Sequence, residues 1–167
     1  TLECLPDDQA VELVVTQNRI AVAGTQSDAR IDSTGTGTTI ITDNTIGVGE
    51  SLTLGADGNP LTVLNNQLSA NRITLSRRYA GNTPTRFSFN NVSATEVGNY
   101  MLRVRGEGTV DLTGNTVEQV AATSPDSVAL YVVAIGQLQV SAHQNVFTNF
   151  GRALRFEAEG SSIEGTL

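Results

Sequence analysis

The stretch LTVLNNQLSANRITL, from Leu61 to Leu75, holds the pattern that decides the fold. Apolar residues alternate at Leu61 and Val63, a pair of asparagines follows, and Leu68 resumes the apolar run. Alternation with a period of two is typical of a β-strand that buries every second side chain. A polar amide pair between two such runs, with neither Gly nor Pro beside it, does not fit an ordinary hairpin turn. Relative to Asn66, the apolar residues stand at positions −5, −3 and +2.

The same spacing recurs along the chain at intervals of 22 to 30 residues. Its six centres are Asn18, Asn44, Asn66, Asn90, Asn115 and Asn145. The three flanking positions are apolar in every copy, except that Thr39 and Thr85 stand at −5 in two of them. A repeat of about 25 residues is typical of a solenoid, in which each copy forms one coil.

Each copy has a second alternating run after a variable segment, as at Ile73 and Leu75 or at Leu102 and Val104. No Asn-Gly hairpin signal separates the two runs of a copy, so equivalent strands are predicted to stack in parallel, about 4.8 Å apart. Glycines follow most of the second runs, and we expect them to turn the chain with a positive φ. They are Gly37, Gly58, Gly81, Gly108, Gly136 and Gly160.

The recurring asparagine is expected to do two things. Asn adopts the left-handed conformation more readily than other residues with a side chain, so it should turn the chain between the strand before it and the strand after it. Its amide should also bond to the equivalent amide of the next coil, which gives a ladder along the solenoid axis. Buried amides are tolerated when they are paired in this way.

These residues resemble the right-handed parallel β-helix family, seen in pectate-lyase-like enzymes, phage tailspikes and autotransporter passenger domains. Segments such as VDLTGNTV and LTVLNNQL carry the resemblance, which covers about residues 11 to 160. It implies an all-β, right-handed parallel β-helix (a β-solenoid) of about six coils. The first sheet would then contain the runs around Ile73, Leu102, Leu130 and Leu154.

The two ends of the chain are expected to differ from the middle. Residues 1–10 are predicted to be an N-terminal cap or linker, with PDDQAVEL as a short helical candidate. Residues 11–167 are predicted to form the β-helix with an incomplete last coil, in which Ile163 begins another rung. An incomplete coil exposes strand edges, so we expect either that the chain is part of a longer protein or that coils stack between molecules and extend the ladder into a fibre.

Composition limits the partners. The formal charge is −7 and all ten basic residues are Arg, which does not favour nucleic acid or an anionic membrane. No stretch approaches 18 apolar residues, so no membrane span is expected. Cys4 is the single cysteine and cannot form an internal disulfide. We expect a small buried thiol there, or a bridge to another chain.

The outward positions of the predicted first sheet hold the candidate binding residues. Arg103, Tyr131 and Arg155 are expected to stack in three successive coils, flanked by Arg105 and Glu157. These five residues are called the arginine–tyrosine patch below. Arginine binds carboxylates and tyrosine packs against apolar faces, so the patch predicts an acidic glycan as ligand. The alternative is a solvated strand face with cross-strand Arg–Glu and Arg–Tyr pairs.

Signals for catalysis are weak. Glycoside hydrolases need two carboxylates on either side of the scissile bond, whereas Asp32, Asp111 and Glu118 lie in different coils. His143 is the only histidine, which excludes a multi-histidine zinc site, and we expect it to be a polar residue beside a turn. No phosphate-binding or dinucleotide fingerprint occurs. We therefore predict no catalytic residue, no cofactor and no metal.

The expected function follows from the fold type. We expect an extracellular or cell-surface structural module, such as an adhesin, passenger or fibre subunit, that holds loops and one sheet face toward a ligand or another subunit. The alternative is a polysaccharide-binding or polysaccharide-cleaving domain that acts near the arginine–tyrosine patch.

Overall fold

A computed structural model of the chain describes residues 2–4, 12–35, 37–76, 84–94, 100–120, 124–159 and 163–166. Within these ranges the chain forms strands and no helix. Neighbouring strands all pair in parallel, and partners come from successive copies of the repeat. The chain therefore winds as a parallel β-solenoid of about five turns, as the period-two runs predicted. Its right-handed sense stays a prediction.

Three stacks of strands, called the first, second and third sheets below, make up the wall of the solenoid. The first stack contains β1 (Leu2–Cys4), β4 (Asp28–Thr34), β7 (Ser51–Asp57), β10 (Arg72–Ser76), the first parts of β13 (Tyr100–Thr113) and β15 (Val128–His143), and β17 (Arg152–Ala158). The second contains β2 (Leu13–Thr16), β5 (Thr39–Thr42), β8 (Leu61–Leu64), β11 (Thr85–Ser88), the later parts of β13 and β15, and β18 (Ile163–Thr166). The third contains β3 (Arg19–Val22), β6 (Thr45–Val48), β9 (Gln67–Ser69), β12 (Asn91–Ala94), β14 (Thr116–Gln119) and β16 (Val146–Thr148).

Strands β13 and β15 each run through two stacks without a break. Their pairing register shifts between Gly106 and Gly108, where φ is +155° and +91°. The side chain of Glu107, on β13, lies so close to Gly136, on β15, that a Cβ added at position 136 would collide with it. These glycines let one long strand bend from the first sheet into the second.

The core is built from the positions predicted to point inward. The residues at −3 from the ladder asparagines are buried in every copy: Val15, Ile41, Val63, Phe87, Leu112 and Ala142. Those at +2 are buried in the four middle copies: Ile46, Leu68, Val92 and Val117. Thr39 also points inward and is fully buried, because its hydroxyl pairs with that of Ser33 and accepts a 3.0 Å hydrogen bond from Asn59 Nδ2.

The asparagine ladder is present and continuous. The backbone N–H of each asparagine and its Nδ2 both donate to Oδ1 of the next one, at 2.9–3.2 Å for Asn18 and Asn44 and at 3.0 Å for Asn44 and Asn66. The same pair of bonds joins the remaining members, Asn66 to Asn90, Asn90 to Asn115 and Asn115 to Asn145. From Asn44 onward, Nδ2 also donates to a main-chain carbonyl of the preceding coil. The predicted ladder thus satisfies the buried amides in full.

The predicted left-handed asparagine is wrong. Positive φ values, from +53° to +67°, belong to the residue just before each ladder asparagine: Gln17, Asp43, Asn65, Phe89, Gly114 and Gln144. The ladder asparagine itself keeps an ordinary φ, because its side chain must point inward while its N–H points along the axis. In the Asn-Asn pair, Asn65 makes the corner with φ +55° and Asn66 makes the ladder.

The predicted glycine turns are confirmed only in part. Gly58 and Gly108 have φ of +87° and +91°. In the first copy Gly35 has a positive φ (+119°), and Gly136 has none. The remaining two lie outside the described residues: Gly81 and Gly160.

The ends of the solenoid are partly described. Leu2–Cys4 is a strand that pairs with β4, with Cys4 opposite Ser33, while residues 5–11 of the predicted cap region lie outside the described ranges. Ile163 pairs with Leu138 at the start of β18.

Replacing a central ladder residue should destabilise the fold strongly. In Asn90→Ala, both N–H groups that Asn66 donates lose their acceptor inside the stack, so the free energy of unfolding should fall by about 3 kcal/mol. Asn18→Ala, at the exposed end of the ladder, should cost about 1 kcal/mol or less. Urea denaturation measures the free energy of unfolding of both variants. Equal losses would contradict the prediction that buried ladder bonds contribute more to stability than exposed ones.

A corner glycine should also resist substitution. Gly114 has φ +67°, and a Cβ there would lie 2.6 Å from Cε1 of Phe89. Gly114→Ala should therefore lower stability by about 2 kcal/mol, from left-handed strain and displacement of the ring. The matched control is Gly47→Ala in β6, where no heavy atom lies within 4 Å of the added Cβ and no loss is expected. Thermal unfolding of the two variants should differ clearly.

Candidate functional site

The outer face of the first sheet brings the arginine–tyrosine patch together. Arg103 on β13 lies opposite Tyr131 on β15, which lies opposite Arg155 on β17. Arg105 and Glu157 stand one step further along the same strands, on either side of Val133. These strands pair in parallel with no register shift at this point. Residues at equivalent positions of successive coils therefore lie side by side and form a column of neighbouring side chains.

Stacked charge and aromatic rings define the geometry of the column. The guanidinium carbon of Arg155 lies 5.1 Å from the ring centre of Tyr131, and that of Arg103 lies 5.7 Å from it. Both distances fall within the range of cation–π attraction. Tyr131 is therefore flanked by a guanidinium from the coil on each side.

Tyr100 belongs to this cluster, although the sequence reasoning missed it. Its ring centre lies 5.2 Å from that of Tyr131, and the guanidinium carbon of Arg103 lies 5.5 Å from it. Strict alternation from Leu102 would point Tyr100 inward. Met101 and Leu102 are both buried, however, so the alternation breaks between them. The one feature of the sequence that could have indicated Tyr100 is its aromatic side chain, three positions before Arg103, which was predicted to face outward.

Two of the three arginines in the patch are paired with carboxylates. Arg155 Nη2 lies 3.6 Å from Glu157 Oε2, and Arg105 Nη2 lies 3.8 Å from an oxygen of Glu159. Glu157 also accepts a hydrogen bond from the Tyr131 hydroxyl. The Arg155–Glu157 pair lies within β17, whereas the hydrogen bond from Tyr131 to Glu157 is a cross-strand contact of the kind expected on a solvated strand face.

Val133 departs from the period-two alternation of β15, which would place it on the outer side, as it places Tyr131. It stands between Arg105 and Glu157 but is fully buried. It lies outside the main core cluster, so the outer face at this point is covered rather than open.

The hydrogen bond to Glu157 perturbs Tyr131. Donation to that carboxylate raises the pKa of Tyr131 above its usual 10.0, and burial and the negative charge of Glu157 act in the same direction. The nearby guanidinium groups of Arg155 and Arg103 oppose the shift without cancelling it.

The other candidate residues are dispersed. Asp32 accepts a 3.0 Å hydrogen bond from Arg30 Nε beside Gly55, which has no side chain to displace it. Asp111 lies on the second sheet and accepts a bond from Thr113. His143 is exposed at the end of β15. Among the described residues, no three His, Cys, Asp or Glu side chains are grouped so that they could hold a metal ion.

Comparisons with known proteins add no relatives: no family model, no curated protein and no solved structure matches the chain. In the part of the chain that the structure describes, no helix is long and apolar enough to cross a membrane.

The raised pKa of Tyr131 makes stability depend on alkaline pH. The folded state favours the protonated phenol, so this stabilisation is present below pH 10 and is lost as pH rises through the raised pKa. Phenolate absorbance, taken as wild type minus Tyr131→Phe, should show titration above 10. Glu157→Gln should move that titration down because it removes the charged acceptor. An unmoved curve in Glu157→Gln would contradict the hydrogen bond as the cause.

Proposed function

We propose that the chain is a structural β-solenoid module, secreted or at a cell surface, that presents the arginine–tyrosine patch to an acidic glycan. The observation that carries this is the column of Arg103, Tyr131 and Arg155 on three successive strands of one sheet. Each side chain stands on a regular strand rather than on a loop.

The scaffold behind the column supports rigid display. Leu102, Leu130 and Val132 point inward from the same strands and are at most 2% exposed, so the backbone that bears the patch is packed against the core. A ligand that binds such a face does not have to order it first, which favours affinity.

The chemistry of the column suits a sugar with a negative charge. Guanidinium groups donate two parallel hydrogen bonds to a carboxylate or sulfate group. The Tyr131 ring, which is only partly buried, offers an apolar surface to the C–H face of a sugar ring. Column members recur at the strand spacing of about 4.8 Å, so a linear polymer can follow the solenoid axis.

Binding is a better proposal than cleavage. The carboxylates near the column, Glu157 and Glu159, are each occupied with an arginine of the same face. Hydrolysis would need two carboxylates facing each other across the bond to be cleaved. Glu157 instead lies in β17 and Glu159 follows the last residue of that strand, so the two carboxylates are only two positions apart along the chain.

Assembly of coils between molecules is a further part of this proposal. Phe156 lies on the inward side of β17, opposite buried Val132, yet it is 41% exposed. Another coil of the same kind would cover it, whether from a continuation of the chain or from a second copy.

Binding to an anionic polysaccharide tests the proposed function. Affinity electrophoresis in a gel containing a polyuronate should retard the wild type, and Arg103→Ala/Arg155→Ala should migrate as in a gel without polymer. The matched control is Arg86→Ala, an exposed arginine on the second sheet, which should stay retarded.

Unchanged retardation of the double variant would overturn the patch as the binding face. Release of new reducing ends or unsaturated products from the polymer would instead favour the polysaccharide-cleaving alternative.

A further inference from the structure

We infer that the anionic group of the ligand is held by Arg103, whose guanidinium contacts the rings of both Tyr100 and Tyr131, while Arg105 and Arg155 are neutralised by their own carboxylates. This inference rests on the proposed function and narrows it. The site takes one oxyanion, a carboxylate or a sulfate, at a single position of the column.

Charge pairing singles out Arg103. Arg155 and Arg105 each have a carboxylate oxygen within 4.0 Å, in Glu157 and Glu159, whereas no described carboxylate lies within that distance of Arg103. Among Arg103, Arg105, Arg155, Glu157 and Glu159, three charges are positive and two are negative, and the positive charge without a carboxylate partner is that of Arg103. In a chain with a formal charge of −7, such a cation is a local attractor for an anion.

The hydrogen bonds of Arg103 are also incomplete. Its Nη1 donates to the Tyr100 hydroxyl over 3.4 Å, a long bond, and its Nε is buried without an acceptor. A guanidinium has five N–H donors and gains most from an acceptor with two oxygens. An oxyanion at the outer edge of the group would accept from Nη1 and Nη2, of which Nη1 has only the long bond to the Tyr100 hydroxyl.

The two tyrosines orient the guanidinium without neutralising it. Their ring centres lie 5.5 Å (Tyr100) and 5.7 Å (Tyr131) from the guanidinium carbon, and the rings are inclined at 44° to each other. Cation–π attraction of this kind leaves the positive charge available to a ligand. Tyr100 and Tyr131 are thus positioning residues for Arg103.

The negative charge of Glu157 opposes the binding of an anion at Arg103. It binds the Tyr131 hydroxyl and pairs with Arg155, so its negative charge stands beside the ring that also contacts Arg103. An incoming oxyanion is repelled by that charge. Removing the charge while keeping the shape should therefore strengthen binding.

Calorimetric titration of the whole chain tests the assignment with three probes of equal length: an oligouronate, a sulfated oligosaccharide and a neutral oligosaccharide. The two anionic probes should bind and the neutral one should not. Arg103→Gln should weaken binding at least tenfold, as loss of a charged hydrogen-bonded pair requires. Glu157→Gln should tighten it by about two- to fivefold.

Charge-matched variants separate the arginines. Arg155→Gln should weaken binding only by about two- to fivefold, because it leaves the negative charge of Glu157 uncompensated beside the site. Arg86→Gln removes the same charge from the second sheet and should bind like the wild type. Circular dichroism of each variant checks that the solenoid is intact.

Two results would overturn this inference alone: equal losses in Arg103→Gln and Arg155→Gln, or weaker binding by Glu157→Gln. A wild-type chain that binds neither anionic probe would overturn it together with the proposed function. Binding of only one anionic probe keeps the assignment and identifies the oxyanion as carboxylate or sulfate.

Discussion

The hydrogen bond between stacked asparagine amides is the constraint on which the rest of this structure depends. Each Oδ1 accepts two N–H groups from the coil before it, so neighbouring asparagines must lie directly above one another. A buried amide without partners costs about 1–3 kcal/mol, and a slip by one residue would unpair the whole series at once. The steps between asparagines vary from 22 to 30 residues, and the variable segments absorb the difference.

The register that aligns the amides also arranges the outer faces. Since Leu102, Leu130 and Leu154 stack on the inner side, the residues after them, Arg103, Tyr131 and Arg155, stack on the outer side. The patch therefore needs no special loop or cleft. In the coils before Arg103 the same column holds Thr74, then Thr53, then Arg30, and no aromatic residue.

Within the patch, only part of the positive charge of the arginines is paired with carboxylates. Two arginines and two glutamates form exposed pairs, with side chains 43–54% accessible, and such pairs contribute little to stability. Their effect is instead to concentrate the remaining positive charge on Arg103, which two tyrosine rings hold in place.

By itself, the sequence determined the coil repeat, the inward residues, the ladder and the column of Arg103, Tyr131 and Arg155. These follow from local spacing. Each run alternates with a period of two, and the apolar residues stand at the same positions relative to each ladder asparagine, so each strand has one inner and one outer side. Only the tertiary structure decided that Asn65, not Asn66, adopts the left-handed conformation, that Tyr100 joins the patch, and that Arg103 is its unpaired cation. Those features arise from contacts between coils and from a break in alternation at Met101 and Leu102, where packing overrides the periodicity that the sequence displays.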